Sequence, residues 1–234
     1  MKKGKLIVLE ACDGSGKATQ TKKLYDRLLL EHKNVLKVEY PDYNSNSSAL
    51  IKMYLNGEFG DKPDDVNAYA ASTFYAVDRY ASFKKNWKDF YDKGGIILAD
   101  RYTTSNMVHQ ASKMDDIVER EKFLEWLDEY EYGLYGLPRP SEVFFLDVPV
   151  KVSEELMKDR KNKITNEDEK DIHESDHNYL VKTYSNSKFV ADKYSWNIVN
   201  CIEENNKMKT IESIHEEIYD KVLKAINGEK ESEF

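Results

Sequence analysis

The chain has 234 residues, 33% of them charged and 40% hydrophobic, with a formal net charge of -8. This suits one large α/β domain with its own core, and the acidic balance argues against a general nucleic-acid-binding surface. No run approaches the ~20 apolar residues that span a bilayer, so no membrane partner is expected.

Residues 6–9 form a short apolar run, as a buried strand does. A loop with Gly14, Ser15, Gly16 and Lys17 follows, then a helical pattern over 19–31. Strand, Gly-containing loop and helix together make a phosphate cradle. The glycines let backbone N–H groups approach phosphate oxygens, the helix N-terminus favours the anion, and Lys17 supplies a point charge for the β- and γ-phosphates. ATP is the expected donor, contacted by Cys12, Asp13, Gly14, Ser15, Gly16, Lys17, Ala18 and Thr19. Two positions depart from G-x-x-x-x-G-K-[ST]: Ala11 replaces the first glycine, and Ala18 replaces the hydroxyl that touches Mg²⁺. Thr19 cannot substitute, because one helical residue turns the side chain by about 100°.

Further strands are predicted at 35–40, 95–99, 143–148 and, more weakly, 196–199. Helical patterns cover 66–92, 119–130, 153–159, 175–193 and 210–226. This alternation predicts a mainly parallel five-stranded sheet with helices on both faces and ligands beyond the carboxyl ends of the strands. The stretch 158–174 is nearly devoid of large apolar residues and is expected to be open. The tail 229–234 is expected to fray. Cys12 and Cys201 form no disulfide framework and fit a reducing cytoplasm. Cys12 reads as a small buried filler, with oxidation as the alternative. The first 17 residues lack a signal-peptide h-region, so the cytoplasm is the expected location.

Four further sites, in order, complete a resemblance over nearly the whole chain. They are Glu10-Ala11-Cys12-Asp13-Gly14, Tyr40-Pro41-Asp42-Tyr43, Tyr75 with Arg79 four residues on, and Asp100-Arg101-Tyr102 followed by Ser105, Asn106 and Gln110. With the phosphate loop they resemble thymidylate kinase, of the nucleoside monophosphate kinase group. The resemblance implies one kinase domain over 1–234, of P-loop NTPase-like three-layer α/β/α form with a mobile lid at about 158–174. It implies phosphoryl transfer from ATP to dTMP, giving dTDP and ADP, with Mg²⁺ and commonly as a homodimer.

It also implies roles. Asp13 approaches the sugar 3′-hydroxyl and faces Mg²⁺, and Asp100 holds the metal through water. Arg101 neutralises the acceptor phosphate or the transferring group. Tyr75 stacks on the base, Arg79 reads the base edge or reaches the phosphate, and Tyr43, Ser105, Asn106 and Gln110 complete the acceptor site. The loop carries no Arg, so Arg160 in the lid is the first candidate for a further catalytic cation, with Lys158, Lys161 and Lys163 nearby. Asp42 stands where the family usually has a basic residue. Bland readings stay open: Asp13 as a turn residue, Asp100–Arg101 as a structural ion pair, the amides as a polar helix face, and 158–174 as a solvated charge run. Two other functions also stay open: a kinase for another deoxynucleotide or a deoxynucleoside, and a nucleotide-binding regulatory protein with little turnover.

Overall fold

A computed structural model of the chain describes residues 3–157, 171–204 and 207–228. Strands β1 (Lys5–Glu10), β2 (Val35–Glu39), β3 (Ile96–Asp100), β4 (Glu142–Asp147) and β5 (Asn197–Asn200) form one parallel sheet in the order β2-β3-β1-β4-β5. β1 is central, with Leu9 level with Asp100 on one side and with Phe144 on the other. Parallel neighbours require crossover connections. These are built from α1 (Lys17–Leu30), α2 (Ala49–Leu55), α3 (Ala68–Ser82), α4 (Lys88–Asp92), α5 (Thr103–His109), α6 (Ile117–Asp128), α7 (Val150–Met157) and α8 (His177–Lys193); α9 (Ile211–Asn227) follows β5. The five expected strands are all present, and the sheet is flanked by helices as the alternation predicts.

Side chains alternate across a strand, and β1 buries both sets. Ile7 and Leu9 face α1 and α9, meeting Leu24, Leu28, Ile214 and Ile218. Leu6 and Val8 face the opposite layer, with Phe83, Trp87, Tyr91 and Tyr102. A strand covered on both faces reads as an unbroken apolar run, which is why residues 6–9 were legible. An outer cluster joins Met107, Phe123, Leu124, Leu127 and Val190 from α5, α6 and α8. Side-chain caps fix the helix starts: Asn67 accepts from the Ala70 N–H, Asp176 from Tyr179 and Thr210 from Ser213.

Three differences from the sequence reading have physical causes. The helix expected over 66–92 is α3 and α4 joined by a wide π-helical turn, Phe83–Trp87. That turn changes the helix phase and seats Phe83 and Trp87 against the sheet. Helix α2 was not anticipated. Its seven residues are too few for a periodic signal, and it gains its stability by packing Ile51, Tyr54 and Leu55 against Ala71. The end of the stretch expected to be open is folded: the Ile172 N–H donates to the Leu55 carbonyl at 3.4 Å, and His173 is buried. Ile172 carries apolar surface in that largely polar stretch, and it packs on the α2 cluster. Residues 158–170 and the tail expected to fray lie outside the described residues. No helix among the described residues is long and apolar enough to cross a membrane.

Candidate active site

The loop between β1 and α1 turns through Gly14 and Gly16, both with φ 75°. At Gly14 space is also lacking: a Cβ would come within 2.6 Å of Met157 and of the Ser153 carbonyl. Ala11 lies outside the left-handed region, so a side chain is tolerated there. Ser15 Oγ donates to the Cys12 carbonyl at 2.8 Å and braces the loop. Lys17, the first residue of α1, is buried and ion-paired with Asp100 at the end of β3. Ala18 and Thr19 are exposed on the first turn of α1. Cys12 is buried, and burial pushes its thiol up to about 12, which suits a filler and leaves little thiolate.

Arg101 is the second focus. It follows β3 with φ 66°, a conformation that costs a residue with a side chain roughly 1–3 kcal/mol. This backbone turns the side chain back over the phosphate loop. Nη2 donates to Asp13 at 2.5 Å. Nη1 lies 3.5 Å from Glu10 Oε1, 3.4 Å from Ser105 Oγ and 3.0 Å from His109 Nε2. Glu10 is fully buried and also accepts from Thr104 and Ser105, each at 2.7 Å. Burial works against the Arg101 cation, but Asp13, Glu10 and Asp100 outweigh it and hold the guanidinium pKa above its ordinary value. Burial first, and then the Arg101 charge, push His109 down to about 4, so its ring is neutral near pH 7.

Two clefts meet at this focus. The first, enclosing about 730 Å³ of space that includes open solvent, is lined by Tyr43, Tyr75, Ser105, Asn106 and Gln110, together with Asp13, Lys17 and Arg101. The second, about 1150 Å³ on the same measure, runs from Cys12 to Gln20 along the loop and reaches Met208 and Ile211. Asp13, Lys17 and Arg101 line both. The clefts therefore share a wall of one carboxylate and two cations at the carboxyl end of the sheet, where open α/β sheets bind ligands.

Arg79 lines the first cleft, but its guanidinium is engaged within the protein. Nε and Nη2 donate to the two oxygens of Glu131 at 2.6 and 2.5 Å, and Nη1 donates to the Tyr102 carbonyl at 3.3 Å. These bonds take three of the five N–H donors of the guanidinium. Glu131 is fully buried and requires a cation. Asn106 Nδ2 donates to the Ser72 carbonyl and to Glu131, each at 3.3 Å. Gln110 has a side-chain hydrogen bond to Tyr54, and its buried Oε1 has no partner. Arg160 and its neighbouring lysines lie outside the described residues. Glu10, His109, Glu131 and His173 were given no role from sequence. Only Glu10, at a strand end beside the loop, carried a signal that would have singled it out. Among the described residues no three His, Cys, Asp or Glu side chains converge as a metal cage.

The chain matches the family model for thymidylate kinase over residues 9–218. It is 30% identical over 166 residues to the thymidylate kinase of Sulfurihydrogenibium sp. (strain YO3AOP1), covering 70% of this chain and 76% of that one. It is 29% identical over 158 residues to the thymidylate kinase of Mycobacterium tuberculosis (strain ATCC 25618 / H37Rv), covering 66% and 71%. The solved structure of thymidylate kinase from Candida albicans shares the fold, with a TM-score of 0.68 at 22% identity over 97% of this chain and 94% of that one.

Proposed function

This chain belongs to the thymidylate kinase family, and from that membership we infer how its two clefts divide the transfer of the γ-phosphoryl group from ATP to dTMP, which gives dTDP and ADP. The carrying observation is the wall of Asp13, Lys17 and Arg101 common to both clefts. ATP takes the cleft along the phosphate loop, with its phosphates on the loop N–H groups and Lys17. The monophosphate takes the first cleft, with its base toward Tyr75 and Gln110 and its phosphate toward Arg101. Both phosphates then lie beside the same two cations. Such chemistry is mostly positioning and charge neutralisation. The acceptor is already anionic, so no general base is needed.

Mg²⁺ enters with ATP as part of the donor substrate. Magnesium keeps most of its waters and needs one or two carboxylates, and Asp100 and Asp13 are the carboxylates beside the loop that would face it. The ion neutralises the donor phosphates. Lys17 and Arg101 hold the carboxylates in place, Ser105 braces Glu10 beneath them, and Arg160 is proposed on sequence alone as a further cation. Gln110 Oε1, a buried acceptor lacking a donor, suits the N3–H of thymine or uracil and not the bare N3 of cytosine. Two readings go further. Residues 1–234 act as one kinase domain, placed in the cytoplasm on the support of two free, buried cysteines. A homodimer through α3 is supported by the exposed Tyr69, Val77 and Tyr80, which share a helix face.

ADP release measured with Mg²⁺-ATP and dTMP, dUMP, dCMP, dGMP or thymidine tests this reading. The expected order is dTMP first, dUMP second and dCMP far behind, because a methyl group separates substrates by only about 1–3 kcal/mol whereas a mismatched polar edge costs more. Preference for dCMP or for thymidine overturns the acceptor assignment. Nucleotide binding without turnover on any of them moves the chain to the regulatory reading.

A further inference from the structure

Ser105 and His109 stand four residues apart in α5, and both approach Nη1 of Arg101. A guanidinium carries donors only. His109 Nε2, 3.0 Å from Nη1, must therefore be the bare accepting nitrogen, and the ring proton resides on Nδ1. Nδ1 is buried and has no partner. For stability alone this is a poor choice, because a stranded buried N–H is costly. A phenyl ring would fill the same space without that cost. The ring stacks beside the neighbouring pair His173 and Tyr179, with centroids 6.2 and 6.3 Å away and interplanar angles of 9° and 26°. What an imidazole offers and a phenyl does not is the acceptor at Nε2.

The need for a neutral acceptor follows from the charges around Arg101. Asp13 and Glu10 already supply two carboxylates. A third would offset the positive charge that a phosphate has to meet, and a cation would repel the guanidinium. A neutral nitrogen orients Nη1 and leaves the charge intact. The ring is itself well held: Tyr179 Oη donates to the His109 carbonyl at 3.2 Å, and His173, stacked on the ring, has Nε2 2.9 Å from Tyr54 Oη. We propose that His109 is a positioning residue for phosphoryl transfer, fixing the Arg101 guanidinium between the two clefts through Nε2. This rests on the reading of Arg101 as the group that neutralises the acceptor phosphate.

The test compares wild type, His109→Phe, His109→Gln and His109→Asn in steady-state kinetics with Mg²⁺-ATP and dTMP, with thermal midpoints measured alongside. Phe keeps the stacking and removes the acceptor. Gln can place its Oε1 near the Nε2 position, and Asn is too short to do so. The expected result is a loss of about tenfold or more in kcat/KM for dTMP in the Phe and Asn variants, as for a lost hydrogen bond to a charged group. The KM for ATP should be little changed, and Gln should recover most of the activity. Equal activity of Phe and wild type overturns the proposal, and so does equal impairment of Phe and Gln. If Phe fails to fold, the contrast between Gln and Asn decides. Wild type inactive on dTMP would fell the functional reading instead. The ¹⁵N spectrum of the His109 ring then decides this inference: a bare Nε2 with the proton on Nδ1 at neutral pH upholds it, and a protonated Nε2 overturns it.

Discussion

Ala18 stands where a hydroxyl would complete the grip of the phosphate loop on a divalent ion. The side chain is exposed on the first turn of α1, so a larger residue has room. Thr19 is exposed too but points about 100° further round the helix. The nearest carboxylates are engaged, Asp100 with Lys17 and Asp13 with Arg101. Without that hydroxyl the ion would rely on the nucleotide phosphates, water and these two already engaged carboxylates. Ala18→Thr should lower the Mg²⁺ concentration for half-maximal activity, or raise kcat, by roughly threefold to tenfold, about the value of one hydrogen-bonding group. Thr is a poorer helix former than Ala by only about half a kcal/mol, so folding should survive. A magnesium titration of both proteins decides the matter, and unchanged midpoint and kcat would sink the idea.

At the scale of elements, the wide turn Glu129–Leu134 after α6 carries Glu131 beneath the first cleft, where Arg79 of α3, Thr103 and Asn106 all donate to it. Removing one member of a buried ion pair strands the other and costs about 3–5 kcal/mol. Glu131→Ala should therefore destabilise by about that amount in urea unfolding, with Glu131→Gln less damaging because the amide keeps an acceptor. A loss below about 1 kcal/mol would mean that Arg79 finds another partner or water. The same network marks where sequence reading ends. Tyr75 and Arg79 were legible as a pair because i, i+4 spacing on a helix is local. Glu131 lies 52 residues further along, and periodicity carries no information about such partners. The phosphate loop and the five strands were legible for the opposite reason: each is written in a few adjacent residues. The wide turns were not, since their residues read as more helix. His109 and His173 were invisible, since lone histidines acquire meaning only from what the fold stacks on them.

The whole molecule carries a pH dependence that follows from those two rings. His109 is pushed down to about 4 and His173 well below its ordinary value, each chiefly by burial. When the chain unfolds, both return to an ordinary value of about 6.5. Below that pH the unfolded chain binds protons that the folded chain refuses, so stability is full above about pH 6.5 and declines as pH falls toward the folded values. For His109 the loss by about pH 5 is on the order of 2 kcal/mol. His173 adds to it, and a domain with only 5–15 kcal/mol in reserve would register the sum. The acidic composition bears on how the effect is measured. A chain with a net charge of -8 at pH 7 and a sequence pI near 5.3 loses its mutual repulsion in the same window. Unfolding should therefore be followed at low protein concentration and shown to be reversible. The urea midpoint of the wild type should drop between about pH 7 and about pH 5, and His109→Phe combined with His173→Phe should flatten that drop, as expected if these two rings take up the protons. An unchanged slope in the double variant would assign the acid sensitivity to other groups.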